Sequence, residues 1–280
     1  MNPKHIARCA QLAMMLEVSA TPKPGNVDKD HDFPDITYGH FLASAIGVGS
    51  VFEKAAMSNV GVGTLIREAI EESARWNGGK NTHFGTFLLL MPLTVAAGKG
   101  DVHQANEIVQ KTTAKDAVEF YKAFKCVDVY LEDADDLSVK DAKSIDEIER
   151  RGLTLYDIMK MSAGQDGIAQ EWVRGFPRTF AGARMLAEKV KEMGINDAIV
   201  HSYLTLLAER PDTLVQKKFG SSVAEEVSRK ASAVLKEQGI DAIRRFDDEL
   251  IRGRVNPGTT ADIVAASLFV HLLEEYDETA

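Results

Sequence analysis

Thr86-Phe-Leu-Leu-Leu-Met-Pro-Leu-Thr-Val-Ala-Ala97 is apolar on nearly every side of a helical wheel. A surface helix carries its apolar residues on one stripe, so a segment like this belongs at the centre of a helical assembly. The most apolar part, Phe87–Ala97, is about half the roughly 20 residues a bilayer span requires and contains Pro92, which excludes a membrane helix. The same period continues outward in both directions. Ile6, Cys9, Ala10, Ala13, Met14 and Val18 form one face of a first helix that should end before Thr21-Pro22. Phe41, Ala45, Val48 and Phe52 repeat the spacing, as do Leu65, Ile66, Ala69 and Ile70. Further helices are predicted at Asp116–Phe124, Pro177–Met193, Ala198–Glu209, Ser222–Gln238, Asp241–Arg252 and Thr260–Tyr276. Strand alternation is almost absent, and neither an internal repeat nor a Pro/Gly/Ser-rich linker divides the chain. The expected fold is all-α, a single large helical domain over residues 1–280 with a polar pocket where helix ends converge.

Composition narrows the function classes. Apolar residues make up 45% of the 280 and charged residues 27%, which rules out global disorder. The 33 Lys and Arg against 42 Asp and Glu leave a net charge of −9. Nucleic acid is therefore excluded as a partner, because neutralising its phosphates needs clustered Lys and Arg. A phosphorylated small molecule needs only a few cations placed locally. Cys9 and Cys126 sit in neither a disulfide framework nor a metal-spaced cluster. The first residues read as the opening helix rather than a signal peptide, and the expected location is cytoplasmic. The charged runs Tyr130–Asp136 and Ser144–Arg151 read as a solvated loop or helix face. Self-association into a homo-oligomer is compatible with several apolar helices, although no interface can be named.

Four segments behave neither as helix nor as plain solvated loop. Glu17-Val-Ser-Ala-Thr-Pro-Lys-Pro-Gly-Asn-Val-Asp28 brackets Lys23 between two prolines, a stiff connection that gives its ammonium a defined direction. His31, Asp32 and Asp35 follow closely. Gly78-Gly-Lys-Asn-Thr-His-Phe-Gly85 leads into the apolar helix, where glycines before a helix start can offer free N–H groups to an anion. Asn81 or Thr82 could cap that helix, and His83 stands at its opening. Asn256-Pro-Gly-Thr-Thr-Ala-Asp262 is a second turn-to-helix point, with Thr259 or Thr260 as cap and Asp262 near the positive end of the helix dipole. Glu209-Arg-Pro-Asp-Thr-Leu214, followed by Lys217 and Lys218, is the fourth. Together they suggest one shared ligand pocket.

These residues, taken in order, resemble the triphosphoribosyl-dephospho-coenzyme-A synthase family. The resemblance is carried by Glu17 with Thr21-Pro-Lys-Pro-Gly25 and Val27-Asp28, by Asn81-Thr-His83 with Gly85, and by Pro257-Gly258 with Ala261-Asp262. Phe41-Leu-Ala-Ser-Ala45 resembles the family's F-x-x-S-A segment, and Gly175-Phe-Pro177 and Asp212-Thr213 resemble two further positions. The resemblance spans the chain from its first predicted helix to its last. It implies an all-helical transferase in which the 2′-hydroxyl of 3′-dephospho-coenzyme A displaces adenine from C1 of the ATP ribose.

Under that resemblance each residue type has a task. Breaking an N-glycosidic bond builds positive charge on the ribose, so Glu17, Asp28 and Asp262 are candidate stabilising carboxylates. His83 is the candidate acid or base, and His31 a weaker one placed with the substrate. Lys23, Arg174 and Lys217, with Mg²⁺ held by Asp28 and Asp262, would neutralise the triphosphate. Gly25, Asn81, Thr82, Asp212 and Gly258 complete the substrate-binding set. The chain departs from the family at Phe84, where N-T-H-K-G is usual, in the shortened segment Lys29–Asp35, and at Leu214, where D-T-N is usual. Two other readings accompany the transferase. One is an enzyme of the same fold acting on another phosphorylated nucleotide or cofactor-precursor acceptor, and the other is a non-catalytic helical nucleotide-binding protein.

Overall fold

The computed structural model describes residues 1–57, 60–124, 143–237 and 239–276. Its helices, in chain order, are α1 (Pro3–Ser19), α2 (Tyr38–Gly47), α3 (Gly49–Met57), α4 (Val62–Asn77), α5 (Phe84–Gly98), α6 (Ala105–Gln110), α7 (Ala114–Ala123), α8 (Lys143–Arg151), α9 (Leu155–Ser162), α10 (Gly167–Arg174), α11 (Pro177–Met193), α12 (Ile195–Glu209), α13 (Thr213–Phe219), α14 (Ser221–Glu237), α15 (Ile240–Gly253) and α16 (Gly258–Glu275). A 3-10 turn at Val102–Gln104 joins α5 to α6. The fold is all-α, with no strand among the described residues. The predicted helix Pro177–Met193 is α11 residue for residue, the other helices predicted with bounds begin and end within a few residues of those observed, and the Phe41–Phe52 face, read as one stretch, is divided at Val48 between α2 and α3. Ser144–Arg151 lies in α8, whereas Cys126 and Tyr130–Asp136 fall outside the described residues. Among the described residues no helix is long and apolar enough to cross a membrane.

The helices gather into two compact units. One comprises Met1–Leu12, Gly39–Pro177 and Leu272–Ala280; the other comprises Ala13–Tyr38 and Arg178–His271.

The first unit is built around α5, whose side chains from Phe84 to Ala97, Gly85 aside, are all buried. Pro92 sits inside this helix, and a proline there offers no N–H to the carbonyl four residues earlier. That carbonyl, on Leu88, instead accepts from the indole Nε1–H of fully buried Trp172 on α10, at 2.9 Å. The two residues therefore answer each other chemically across 80 positions of sequence. Trp172→Phe is expected to cost about 1–3 kcal/mol, the penalty of an unmet buried acceptor. Adding Pro92→Ala restores a backbone donor and should return part of that loss. Urea denaturation of the single and double variants checks this; equal losses in both would contradict it. Close helix contacts complete the unit. A Cβ on Gly63 of α4 would lie 2.0 Å from the Asp116 carbonyl of α7, and one on Gly98 of α5 would lie 2.0 Å from the Ala56 carbonyl of α3. Asp116 also forms a capping box with Thr113 and accepts the Gly63 N–H at 2.9 Å.

In the second unit α12 and α13 pack on α14, which also meets α15. Tyr203 of α12 is fully buried and reaches the proline-rich segment. Its hydroxyl donates to the Pro24 carbonyl at 2.8 Å and accepts from the Asn26 amide at 2.6 Å. A buried phenol satisfied in both directions pins the segment without a helix or strand to hold it.

Candidate active site

The proline-rich segment predicted to carry chemistry lies in the second unit and is folded tightly on itself. The Thr21–Pro22 peptide is cis. Lys23 is buried, and its ammonium donates to both the carboxylate and the main-chain carbonyl of Glu17. Burial pushes the Glu17 carboxyl up, and the Lys23 charge pulls it back. The cation predicted to grip a triphosphate is thus neutralised by the first of the predicted carboxylates. Gly25 has a left-handed φ of 78°, and a Cβ there would come within 2.4 Å of the Val255 carbonyl, so only glycine fits this corner.

Asp28 and Asp247 organise the rest of the loop. The Asp28 carboxylate accepts the N–H groups of Lys23 at 3.2 Å, Asp30 at 2.8 Å and His31 at 3.0 Å. Asp247, on α15, accepts the Gly25 N–H at 2.9 Å through Oδ1. Its other oxygen, Oδ2, faces His31 Nδ1 at 3.1 Å, and Asp28 Oδ1 lies 3.8 Å from the same nitrogen. Burial, with Asp28 and Asp248 nearby, raises the Asp247 carboxyl to about 6, against the pull of the Gly25 N–H and His31. One donor atom from each of Asp28, His31 and Asp247 lies within 4.8 Å of the others.

Asp212 joins the third and fourth predicted segments. One carboxylate oxygen caps α13 through the N–H groups of Leu214 and Val215, at 2.9 and 3.1 Å. The other accepts the N–H and hydroxyl of Thr260 in the first turn of α16, at 2.7 and 2.8 Å. Burial raises this carboxyl, while these bonds lower it. Predicted to contact substrate, Asp212 serves two helix N-termini at once, and their N–H groups offset part of the burial that raises its carboxyl. The predicted cap of α16 by Thr259 or Thr260 is corrected accordingly: the helix begins at Gly258, and Thr260 is a donor to Asp212. Gly258 packs against Leu214, where a Cβ would approach its Cδ2 at 2.8 Å. Asp262 is half-buried one turn into α16, outside the Asp28–His31–Asp247 cluster. Lys217 is half-buried in the last turn of α13, a position that suits a cation at a helix C-terminus.

The Asn81-Thr-His83 segment belongs to the first unit. His83 is buried at the N-cap position of α5, and its Nδ1 lies 2.8 Å from Ser44 Oγ. Ser44 continues to Ser73 Oγ at 2.7 Å, and the Asn77 amide donates to Ser73 at 3.1 Å and to Thr82 Oγ1 at 3.0 Å. The ring stands edge-on to Phe41, centroids 5.0 Å apart. The expectation that Asn81 or Thr82 stands at the cap of α5 is corrected: His83 takes the N-cap position, its side chain makes no capping hydrogen bond, and the Thr82 hydroxyl accepts from the Asn77 amide. Ser73, Lys80, Asn81, Thr82, His83 and Phe87 line a small cleft. Asn81 is exposed in it, and Arg174, exposed at the end of α10, does not line it. Phe84, standing where the family usually has lysine, is buried against Phe120 and Phe124, ring centroids 6.0 and 5.2 Å away. The missing cation is here a core residue.

Sequence reasoning overlooked Asp247, Tyr203 and the Ser73–Asn77 relay. Asp247 had a signal: it shares the buried face of α15 with Ala242, Phe246 and Leu250, and an acid in an apolar stripe needs a partner.

A 2-(5''-triphosphoribosyl)-3'-dephosphocoenzyme-A synthase of Klebsiella pneumoniae is 27% identical over 292 residues, covering 96% of this chain and 91% of that protein. A protein of the same name from Escherichia fergusonii is 22% identical with the same coverage. A crystal structure from Archaeoglobus fulgidus, carrying the triphosphoribosyl-dephospho-coA synthase name, superposes with a TM-score of 0.71 at 31% identity, covering 84% of this chain and 99% of that one. The model of one transferase family matches residues 3–280, and the chain belongs to that family, CitG, the ATP:dephospho-CoA triphosphoribosyl transferases.

Proposed function

We propose that the protein transfers the triphosphoribosyl group of ATP to the 2′-hydroxyl of 3′-dephospho-coenzyme A and releases adenine. The observation that carries this is the family match from residue 3 to residue 280, which runs through both compact units and supports one functional domain. In the reaction the bond between C1 of the ATP ribose and N9 of adenine breaks. A bond from C1 to the acceptor oxygen forms, the hydroxyl proton passes to a base, and adenine leaves protonated. His83 is the group assigned to proton transfer, with Ser44 and Ser73 holding its other ring nitrogen. Asp262 is assigned to the positive charge that develops on the ribose. The Glu17–Lys23 pair is assigned to holding the loop that carries Asp28. ATP enters as its Mg²⁺ complex, and Lys217, Arg174 and the amides of the Asn81–Thr82 segment are assigned to its phosphates. A cytoplasmic setting fits these substrates. The other two readings, a different acceptor or a non-catalytic binding protein, draw no support from the relatives.

Mass spectrometry of the protein incubated with ATP, Mg²⁺ and 3′-dephospho-coenzyme A tests the reaction. The expected result is one product carrying the intact triphosphoribosyl group, with one adenine per acceptor consumed. Formation of AMP or ADP with adenine still attached would show cleavage at phosphorus and refute it.

A further inference from the structure

We propose that Asp28, His31 and Asp247 hold a resident divalent cation of the first-row transition series, Mn²⁺ in the first instance, bound by the protein before any nucleotide arrives. Two carboxylates whose side chains are 0% and 1% exposed converge on one imidazole. Asp247 Oδ2 is buried and makes no aligned hydrogen bond, and neither does His31 Nδ1, although the two atoms are 3.1 Å apart. Buried polar atoms this close are ordinarily satisfied, and a pair that faces without an aligned hydrogen bond is suited to sharing a cation. A protonated His31 would supply one positive charge against two buried negative ones. A divalent ion balances both.

The neighbouring amides prepare the ligands. Backbone N–H groups hold Asp28 through both oxygens and Asp247 through Oδ1, which leaves the remaining lone pairs to a metal. The His31 side chain is 35% exposed, so an ion can reach the site from solvent. The donor set decides the metal class. Mg²⁺ prefers an all-oxygen shell with several waters; the imidazole nitrogen shifts the preference to the first-row transition ions, and the two carboxylates keep Mn²⁺, the most oxygen-seeking of these, among them. With three protein ligands, an octahedral ion keeps positions for water or phosphate oxygen. Neither ATP nor the acceptor takes part in this binding, so the site is tested apart from the transferase reading.

The experiment is a Mn²⁺ titration of chelator-stripped full-length protein without nucleotide, followed by loss of the free-ion signal in electron paramagnetic resonance and by the Tm of the same samples. The expected result is a single bound Mn²⁺ per chain that raises the Tm, with Mg²⁺ competing at least about tenfold more weakly. His31→Ala, at a part-exposed position, should keep the fold and weaken Mn²⁺ binding at least about tenfold. Asp247→Asn, which retains an acceptor for the Gly25 N–H, should abolish both the binding and the Tm shift. Absence of stoichiometric binding to the unaltered protein, or equal affinity in all three proteins, would overturn the site. Equal competition by Mg²⁺ would overturn the choice of metal class.

Discussion

Lys23→Met is expected to lower the unfolding free energy by about 3–5 kcal/mol at neutral pH, the usual consequence of removing one partner of a buried ion pair. The methionine side chain fills much the same volume, so the loss comes from the Glu17 carboxylate, left buried with its counter-charge gone. The pH dependence has a defined sign. Burial already raises the Glu17 carboxyl above its ordinary 4.5, and without Lys23 it rises further. A raised carboxyl favours folding while it is protonated and loses that contribution as pH rises through its folded value. The deficit of the variant should therefore be largest at neutral pH and shrink as pH falls toward that ordinary value. Combining Glu17→Gln with Lys23→Met removes the stranded charge and should recover most of the loss. Chemical denaturation across pH measures all of this. A loss below about 1 kcal/mol, or one independent of pH, would show that the pair does not hold the loop.

His83→Ala is expected to lower kcat for adenine release by roughly 10²–10⁴, the range general acid–base catalysis commonly supplies. The geometry is that of a positioned group. The imidazole is buried against Phe41 and Phe87, and Ser44, itself held by Ser73, fixes Nδ1. Ser44→Ala should leave KM nearly unchanged, lower kcat less than the histidine variant does, and move the pH optimum, because it removes the group that sets the tautomer. A kcat within about threefold of the unaltered protein in a folded His83→Ala variant would remove His83 from the chemistry.

Much of this architecture could be read from periodicity. The all-round apolar run at Thr86–Ala97 is α5 and is buried, and α11 begins and ends where predicted. The polar turn segments were also visible, because prolines, glycines and charges do not fit amphipathic helices. What they do was less visible, since it depends on partners distant in sequence. Nothing near Lys23 shows whether its ammonium meets a phosphate or Glu17. Asp212 reads as a substrate contact, and its service to two helix starts depends on α16 beginning beside it. Pro92 looks like a defect until Trp172, 80 residues on, supplies the missing donor. Asp247 sits in a helix whose pattern is otherwise ordinary, and its importance comes from the Gly25 amide and His31 it meets. Phe84 reads as a lost cation against the family pattern and turns out to be an aromatic core residue.

Transfer of the ATP ribose is tested most directly by adenine release from ATP and Mg²⁺, with and without 3′-dephospho-coenzyme A, followed by chromatography on the purified protein. The account predicts free adenine that appears only when the acceptor is present and in proportion to the acceptor consumed. No adenine under saturating ATP, or adenine released at the same rate without acceptor, would contradict it.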